Sequence, residues 1–282
     1  MTAAAVAPAP ARIAYVKRHS ALVRVTHWIN VVCLTFLLMS GLQIFNAHPA
    51  LYLGNGADFD HPVLSLDATQ DADGNVTGGT ATLFGHSIPT TGVLGASKDD
   101  NGDLTARGFP SWLTAPSYQD LATGRRWHFF FAWIFAINGF VYLANLFFRR
   151  HLTRDLLPTA AEIRAIPKVA LEHARLHFPK GEEAKRYNVL QQLTYLVMAL
   201  VVLPGIVLAG LTMSPGMDAR FPFLVALFHG RQTARTIHFV FATLIVLFVL
   251  VHVLMVILSG LWNNLRSMVT GRYAIEVDAD AR

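Results

Sequence analysis

The chain has 282 residues, 53% of them hydrophobic and only 15% charged, with a mean hydropathy of +0.41 and a formal net charge of +5. These values depart from the averages of soluble domains toward the membrane class. A single cysteine, Cys33, leaves no disulfide, thiolate metal cluster or CxxCH haem attachment, and basic residues gathered beside apolar runs argue against a nucleic-acid role.

Four apolar runs stand out: Val25 to Phe45, Trp127 to Phe148, Leu190 to Leu211 and Thr236 to Leu261. Each holds 21 residues or more, enough to cross the roughly 30 Å hydrocarbon core of a bilayer as a helix. Residues 1–24 carry no apolar h-region after an early basic cluster, so the first span is expected to act as its own insertion signal. Of the 23 Lys and Arg, sixteen fall before the first span, between the second and third, or after the fourth. The positive-inside rule then predicts both termini in the cytoplasm.

The predicted fold is an all-α integral membrane protein, a four-transmembrane-helix bundle with a hairpin-rich periplasmic loop. Its segments are a cytoplasmic N-terminus (1–24), span one (25–45), periplasmic loop (46–124), span two (125–148), cytoplasmic loop (149–187), span three (188–212), periplasmic link (213–235), span four (236–261) and cytoplasmic tail (262–282).

Span one begins RVTHWINVVCLTF, with His27 about one turn inside the cytoplasmic boundary and Trp28 beside it as an interfacial anchor. Gly41, fourteen residues on, shares its face and lets something flat approach the helix. The loop that follows holds nine acidic residues and two turn signals, DADGN and KDDNGD, flanked by β-prone stretches, so two hairpins are predicted. Neither turn has a twelve-residue calcium loop ending in glutamate.

Span two opens GRRWHFFFAWIF, placing His128 near the outer boundary after Arg125 and Arg126; Gly139 lies eleven residues deeper on the same face. The cytoplasmic segment TAAEIRAIPKVALEHARLHF is amphipathic and basic, and fits the inner membrane surface. His173 and His177 within it are four apart but lack a third metal ligand, which favours a solvated helix face. Span three starts YNVLQQLTYLV, with Asn188, Gln191 and Tyr195 on one face, and Pro204 with Gly205 predicts a kink. The link after it carries an apolar run, PFLVALF, suited to the outer interface. The tail after Trp262 shows no evident chemistry.

In span four His238 and His252 are fourteen residues apart, so both imidazoles leave one face about 21 Å from each other. An ionisable side chain inside a membrane costs a few kcal/mol and is a functional-site hypothesis by default. Sorted by depth, His128 and His238 form an outer pair, and His27 and His252 an inner pair. Two imidazoles on facing helices, with Gly41 and Gly139 opening flat spaces, fit two haems, each iron held from both sides. Zinc fits less well, because the pairs are too far apart to share one ion and carry no carboxylates.

Haem propionates are anionic. Arg125, Arg126 and Arg235 are candidates to meet them at the outer level and Arg24 at the inner. Asn188 and Gln191, near the inner pair, could hydrogen-bond a quinone carbonyl.

RVTHW in span one, RRWHFFFAW in span two, YNVLQ opening span three and the fourteen-residue histidine spacing of span four resemble the four-helix di-haem cytochrome b superfamily. That group includes membrane subunits of formate dehydrogenase, nickel-iron hydrogenase and thiosulfate reductase; LAGLTMSPG and GRQTARTIHF are most similar to the thiosulfate-reductase-type branch. The resemblance implies haem b ligation by His27, His128, His238 and His252, a quinone pocket involving Asn188 and Gln191, and a catalytic partner on the outer face, often a molybdenum (molybdopterin) enzyme. The long outer loop departs from the pattern and could dock that partner, cap the outer haem or bind a second copy as a homo-oligomer. The expected role is electron transfer between the quinone pool and a periplasmic redox subunit, in the bacterial inner membrane. Alternatives are a self-contained quinol-dependent oxidoreductase acting on superoxide, and a haem-free metal or proton transporter.

Overall fold

The structure, a computed structural model, describes residues 12–99, 101–148, 157–175 and 189–277. Among the described residues four helical stretches are long and apolar enough to cross a membrane: α1 (Ala21–Asn46), α2 (Leu121–Phe148), Val189–Thr212 and, later in the chain, Arg231–Leu258. Several of their hydroxyl side chains turn back on their own helix, as Thr26 Oγ1 does to the Leu22 carbonyl at 2.9 Å and Thr212 Oγ1 to Leu208 at 2.9 Å. That removes donors which lipid could not satisfy.

The chain divides into two compact units, one of residues 29–140 and 200–246, the other of residues 1–28, 141–199 and 247–282. In the first, α1, α2 and the second half of span three pack around Cys33, Phe131 and Phe135, with Leu203, Ile206 and Val207 against them. Span three is broken rather than uniform. A helix Val189–Val197 leads into a π-helical turn, Met198–Val202, and then a helix Leu203–Thr212. Pro204 has no N–H to offer the preceding turn and its ring crowds the carbonyl four residues back, so the widened turn relieves both. Gly205 follows because a Cβ there would lie 2.5 Å from the Phe241 ring of span four.

Between α1 and α2 the same unit carries β strands: β2 (Ala50–Leu51), β3 (Leu64–Gln70), β4 (Val76–Leu83) and β5 (His86–Pro89) form an antiparallel sheet in that order. A second hairpin pairs β6 (Ala96–Lys98) with β7 (Leu104–Ala106). The two predicted turn sequences close these hairpins. Asp71 accepts from the backbone N–H of Asp73 and Asn75 at 3.0 and 2.8 Å, and Asp99 from Asn101 and Asp103 at 2.9 and 3.0 Å. Hydrogen bonds from Asn75 hold the Asp71 carboxyl below its ordinary pKa.

The β region is fastened to the end of α1. Phe45 shares a core with Leu51, Leu66 and Ala81, and the Asn46 side chain pairs with the Phe109 backbone, accepting at 2.7 Å and donating at 3.2 Å. The link after span three forms two short helices, Pro215–Arg220 and Phe223–Leu227, tied to the next span by an Arg231–Asp218 ion pair at 2.6 Å.

In the other unit, β1 (Arg12–Lys17) pairs antiparallel with a C-terminal strand, Arg272–Val277, from Arg12 opposite Val277 to Lys17 opposite Arg272. A helix Leu261–Thr270 precedes that strand. Two short helices, Ala160–Arg164 and Ile166–Ala174, follow span two, the first started by a capping box between Thr159 and Glu162. His177, Asn188 and the side chain of His173 lie outside the described residues.

The expectation of an all-α protein is therefore corrected: the described residues are mostly helical but hold three sheets. One of them joins residues more than 250 positions apart, a pairing that no local pattern announces.

In chain order the helices after α2 are α3 (Ala160–Arg164), α4 (Ile166–Ala174), α5 (Val189–Val197), α6 (Leu203–Thr212), α7 (Pro215–Arg220), α8 (Phe223–Leu227), α9 (Arg231–Leu258) and α10 (Leu261–Thr270). The C-terminal strand is β8 (Arg272–Val277).

Candidate haem sites

His128 on α2 and His238 on α9 face each other with ring centres 6.1 Å apart and ring planes at 62°. Each has its Nδ1 engaged. His238 Nδ1 lies 2.9 Å from the Ile206 carbonyl oxygen of α6. His128 Nδ1 lies 3.1 Å from Ser40 Oγ of α1, with the Leu37 carbonyl a further backbone partner. The Ser40 hydroxyl itself donates to the Phe36 carbonyl at 2.5 Å, so its oxygen is left to accept from His128. Both imidazoles thus carry the proton on Nδ1 and present an unprotonated Nε2.

A glycine accompanies each arrangement. Within a helix the Cβ of one residue crowds the carbonyl four positions earlier, and Gly41 and Gly210 stand four after Leu37 and Ile206. A Cβ at Gly41 would sit 3.3 Å from His128 Cε1, and one at Gly210 would sit 3.3 Å from His238 Cε1 and 3.4 Å from its Nδ1. Gly41, expected beside a flat cofactor, lies against the imidazole itself. Ser40 and Gly210 were missed in the sequence. Their signal, a small residue one turn past an imidazole-binding carbonyl, shows only once the partner helix is known. At Gly139 a Cβ would meet nothing within 4 Å.

His27 on α1 and His252 on α9 form the second pair, with ring centres 6.3 Å apart and planes at 55°. Trp28 meets His27 edge-on and Phe248 stacks on His252 at 19°. Among the described residues His27 Nδ1 is buried without a hydrogen-bond partner.

The predicted propionate partners are distributed unevenly. Arg24 donates from Nη1 to the Val269 carbonyl at the end of α10. Arg125 lies over the Phe129 ring at 5.7 Å, and Arg126 is exposed close enough to Asp120 to act on its carboxylate. Arg235 donates to the His48 carbonyl at 2.5 Å and lies over Phe45. Gln191 is half-buried on α5, whereas its neighbour Gln192 is buried.

Both pairs fit an iron between two imidazoles. Metal–nitrogen bonds of about 2 Å on either side put ring centres roughly 6 Å apart. Among the described residues no three His, Cys, Asp or Glu side chains converge to hold a bare metal ion. Two nitrogens per site suit a metal whose other ligands come from a macrocycle.

Paired imidazoles between apolar helices define a haem-binding class of membrane protein. Residues 18–271 match the family model described as prokaryotic cytochrome b561, and the chain belongs to that family. It is a multi-pass membrane protein of a cytochrome b family, which implies haem b. A curated relative, the putative protein-methionine-sulfoxide reductase subunit YedZ1 of Azospira oryzae, is 29% identical over 245 residues, covering 85% of this chain and 90% of the relative. No solved structure matches the chain.

Proposed function

We propose that this chain is a di-haem b-type cytochrome subunit that carries electrons between the quinone pool and a periplasmic oxidoreductase of the molybdenum class. The observation that carries the reading is the pair of facing imidazole couples, 6.1 and 6.3 Å between ring centres. A haem held by His128 with His238, or by His27 with His252, would supply one-electron chemistry, and with both protein ligands in place it would serve as a carrier rather than as a site for oxygen or substrate.

The protein residues do the rest. His128 and His238 are oriented through Nδ1 by Ser40, Leu37 and Ile206, which strengthens Nε2 as a donor. The apolar core of Cys33, Phe131 and Phe135 takes in Leu37 and Ile206, the residues whose carbonyls meet the first couple. Arg235, half-buried three residues before His238, offers positive charge to an anionic group at that end of the span. Gln191 on α5, with Asn188 three residues earlier in the sequence, would supply amides suited to a quinone carbonyl.

Sidedness follows from charge: the sixteen Lys and Arg of the N-terminus, the 149–187 segment and the tail support a cytoplasmic location for the His27–His252 couple. The β-rich loop then lies in the periplasm beside His128 and His238. The relative's description as a subunit of a methionine sulfoxide reductase supports a separate catalytic partner.

The test is the pyridine haemochrome of the purified chain, followed by mixing with a quinol and a purified periplasmic methionine-sulfoxide reductase of the molybdenum class. Two haem b per chain, reduced by a quinol and reoxidised by that partner, are expected. A single haem, or full turnover by the chain alone, overturns the reading.

A further inference from the structure

Helix α10 is amphipathic in the reverse of the usual sense. At 100° per residue Leu261, Leu265, Val269 and Trp262 fall within one arc of about 100°. All four are exposed, Trp262 by 76%. The polar side is turned into the protein. Ser267 is 1% exposed, and the Asn263 amide copies a strand, donating to the Ala274 carbonyl at 2.8 Å and accepting from its N–H at 2.9 Å. An apolar arc pointing away from its own protein lacks the cover that burial normally provides.

What covers it follows from where the helix starts. Only Ser259 and Gly260 separate α10 from α9, the most apolar of the four candidate spans. Gly260 takes φ 111°, which ends the helical path of α9 and lets the chain turn at the boundary of the bilayer. The surroundings are basic. Arg266 flanks the arc and lies over Tyr15, while Arg18 lies over Tyr273 on the adjoining sheet, with Lys17 and Arg272 paired beside them.

We propose that α10 is an interfacial helix, its apolar arc resting at the acyl boundary and its basic flank taking the headgroups of anionic phospholipid. The inner end of the protein is built on it. The Trp28 indole N–H donates to the Met268 carbonyl at 3.1 Å and Arg24 donates to Val269. Both acceptors lie in the last turn of α10, where the helix dipole favours cations and donors. Seating α10 on lipid therefore fixes the two residues that flank His27.

The experiment uses the full chain in nanodiscs of phosphatidylcholine, with and without phosphatidylglycerol. Amide exchange across residues 261–270 of the unaltered protein is expected to slow about fivefold or more in the anionic discs, since each basic group near such a surface contributes on that order. Arg266→Gln with Arg272→Gln should abolish the difference. A nitroxide on Leu265→Cys in a Cys33→Ala background should collide with oxygen in preference to a water-soluble nickel chelate. Equal exchange in both lipids overturns the anionic preference. A chelate-accessible label overturns the docking itself, and dipolar broadening between labels would mean that a second copy covers the arc instead.

Discussion

His238 Nδ1 sits 2.9 Å from the carbonyl oxygen of Ile206, and Gly210, one turn further along α6, is what leaves that oxygen open. The same device recurs on α1, where Gly41 stands four residues beyond Leu37 and beside His128. Two helices from different parts of the chain thus orient the two imidazoles of one couple in the same way. Gly210→Ala or Gly41→Ala forces its ring to move by a few tenths of an ångström. The expected result is a haem affinity at this couple lower by about 10-fold or more, with a displaced reduction potential. Potentiometry with low-spin EPR checks it: equal displacement of both haem signals would show that the glycines do not act locally.

Removing a ligand separates the couples more sharply. His128→Ala and His238→Ala are each expected to lower haem content from two per chain to one, and His27→Ala and His252→Ala to remove the other haem. Haemochrome stoichiometry with the EPR signal of the survivor distinguishes the sites. If either change within a couple spares the haem that its partner's change removes, the pairing is wrong.

His48 gives the loop-side face a pH dependence. Burial, and then the Arg235 guanidinium, push its imidazole below the ordinary range. As pH falls below about 6.5 the unfolded chain takes up a proton that the folded one resists, so stability is present above that pH and is lost as acidity rises through the folded value. The segment His48–Gly54, pinned to α9 by Arg235, Thr233 and Thr236, should become more open to protease between pH 7 and 5. His48→Gln should flatten that profile; an unchanged slope would assign it to another group.

Gly79 in β4 faces the second hairpin so closely that a Cβ would lie 2.2 Å from the Leu94 carbonyl oxygen and 2.5 Å from the Ala96 nitrogen. Both neighbours are backbone and cannot swing away. Gly79→Ala is therefore expected to separate the two hairpins, at a cost of about 1–3 kcal/mol of overpacking, while leaving both haem spectra unchanged. Exchange of β4 and β6 amides beside a visible spectrum is the measurement, and loss of the haems together with the hairpins would contradict it.

The spans and the four histidines were legible in the chain because a bilayer imposes a length and a polarity on any helix that crosses it. A fourteen-residue spacing returns to nearly the same face, so His238 and His252 could be read as one edge without knowing their partners. The Asp71 and Asp99 turns were legible for a similar reason: a carboxylate that caps its own backbone acts within five residues. Other features depend on distant chain. The hydrogen bond of Arg24 to Val269 has no signal in the sequence, and the tail reads as featureless until β8 finds β1.

By itself the sequence determined how many helices can enter the membrane, which imidazoles they carry, and where the hairpin turns fall, since each of these depends on neighbours along one strand of chain. Only the tertiary structure decided that Gly41 and Gly210 uncover carbonyls for His128 and His238, that Pro204 is accommodated by a π-helical turn, and that α10 turns its apolar side outward. Those outcomes are set by what another segment places within hydrogen-bond or van der Waals reach, and such reach is a property of the folded chain.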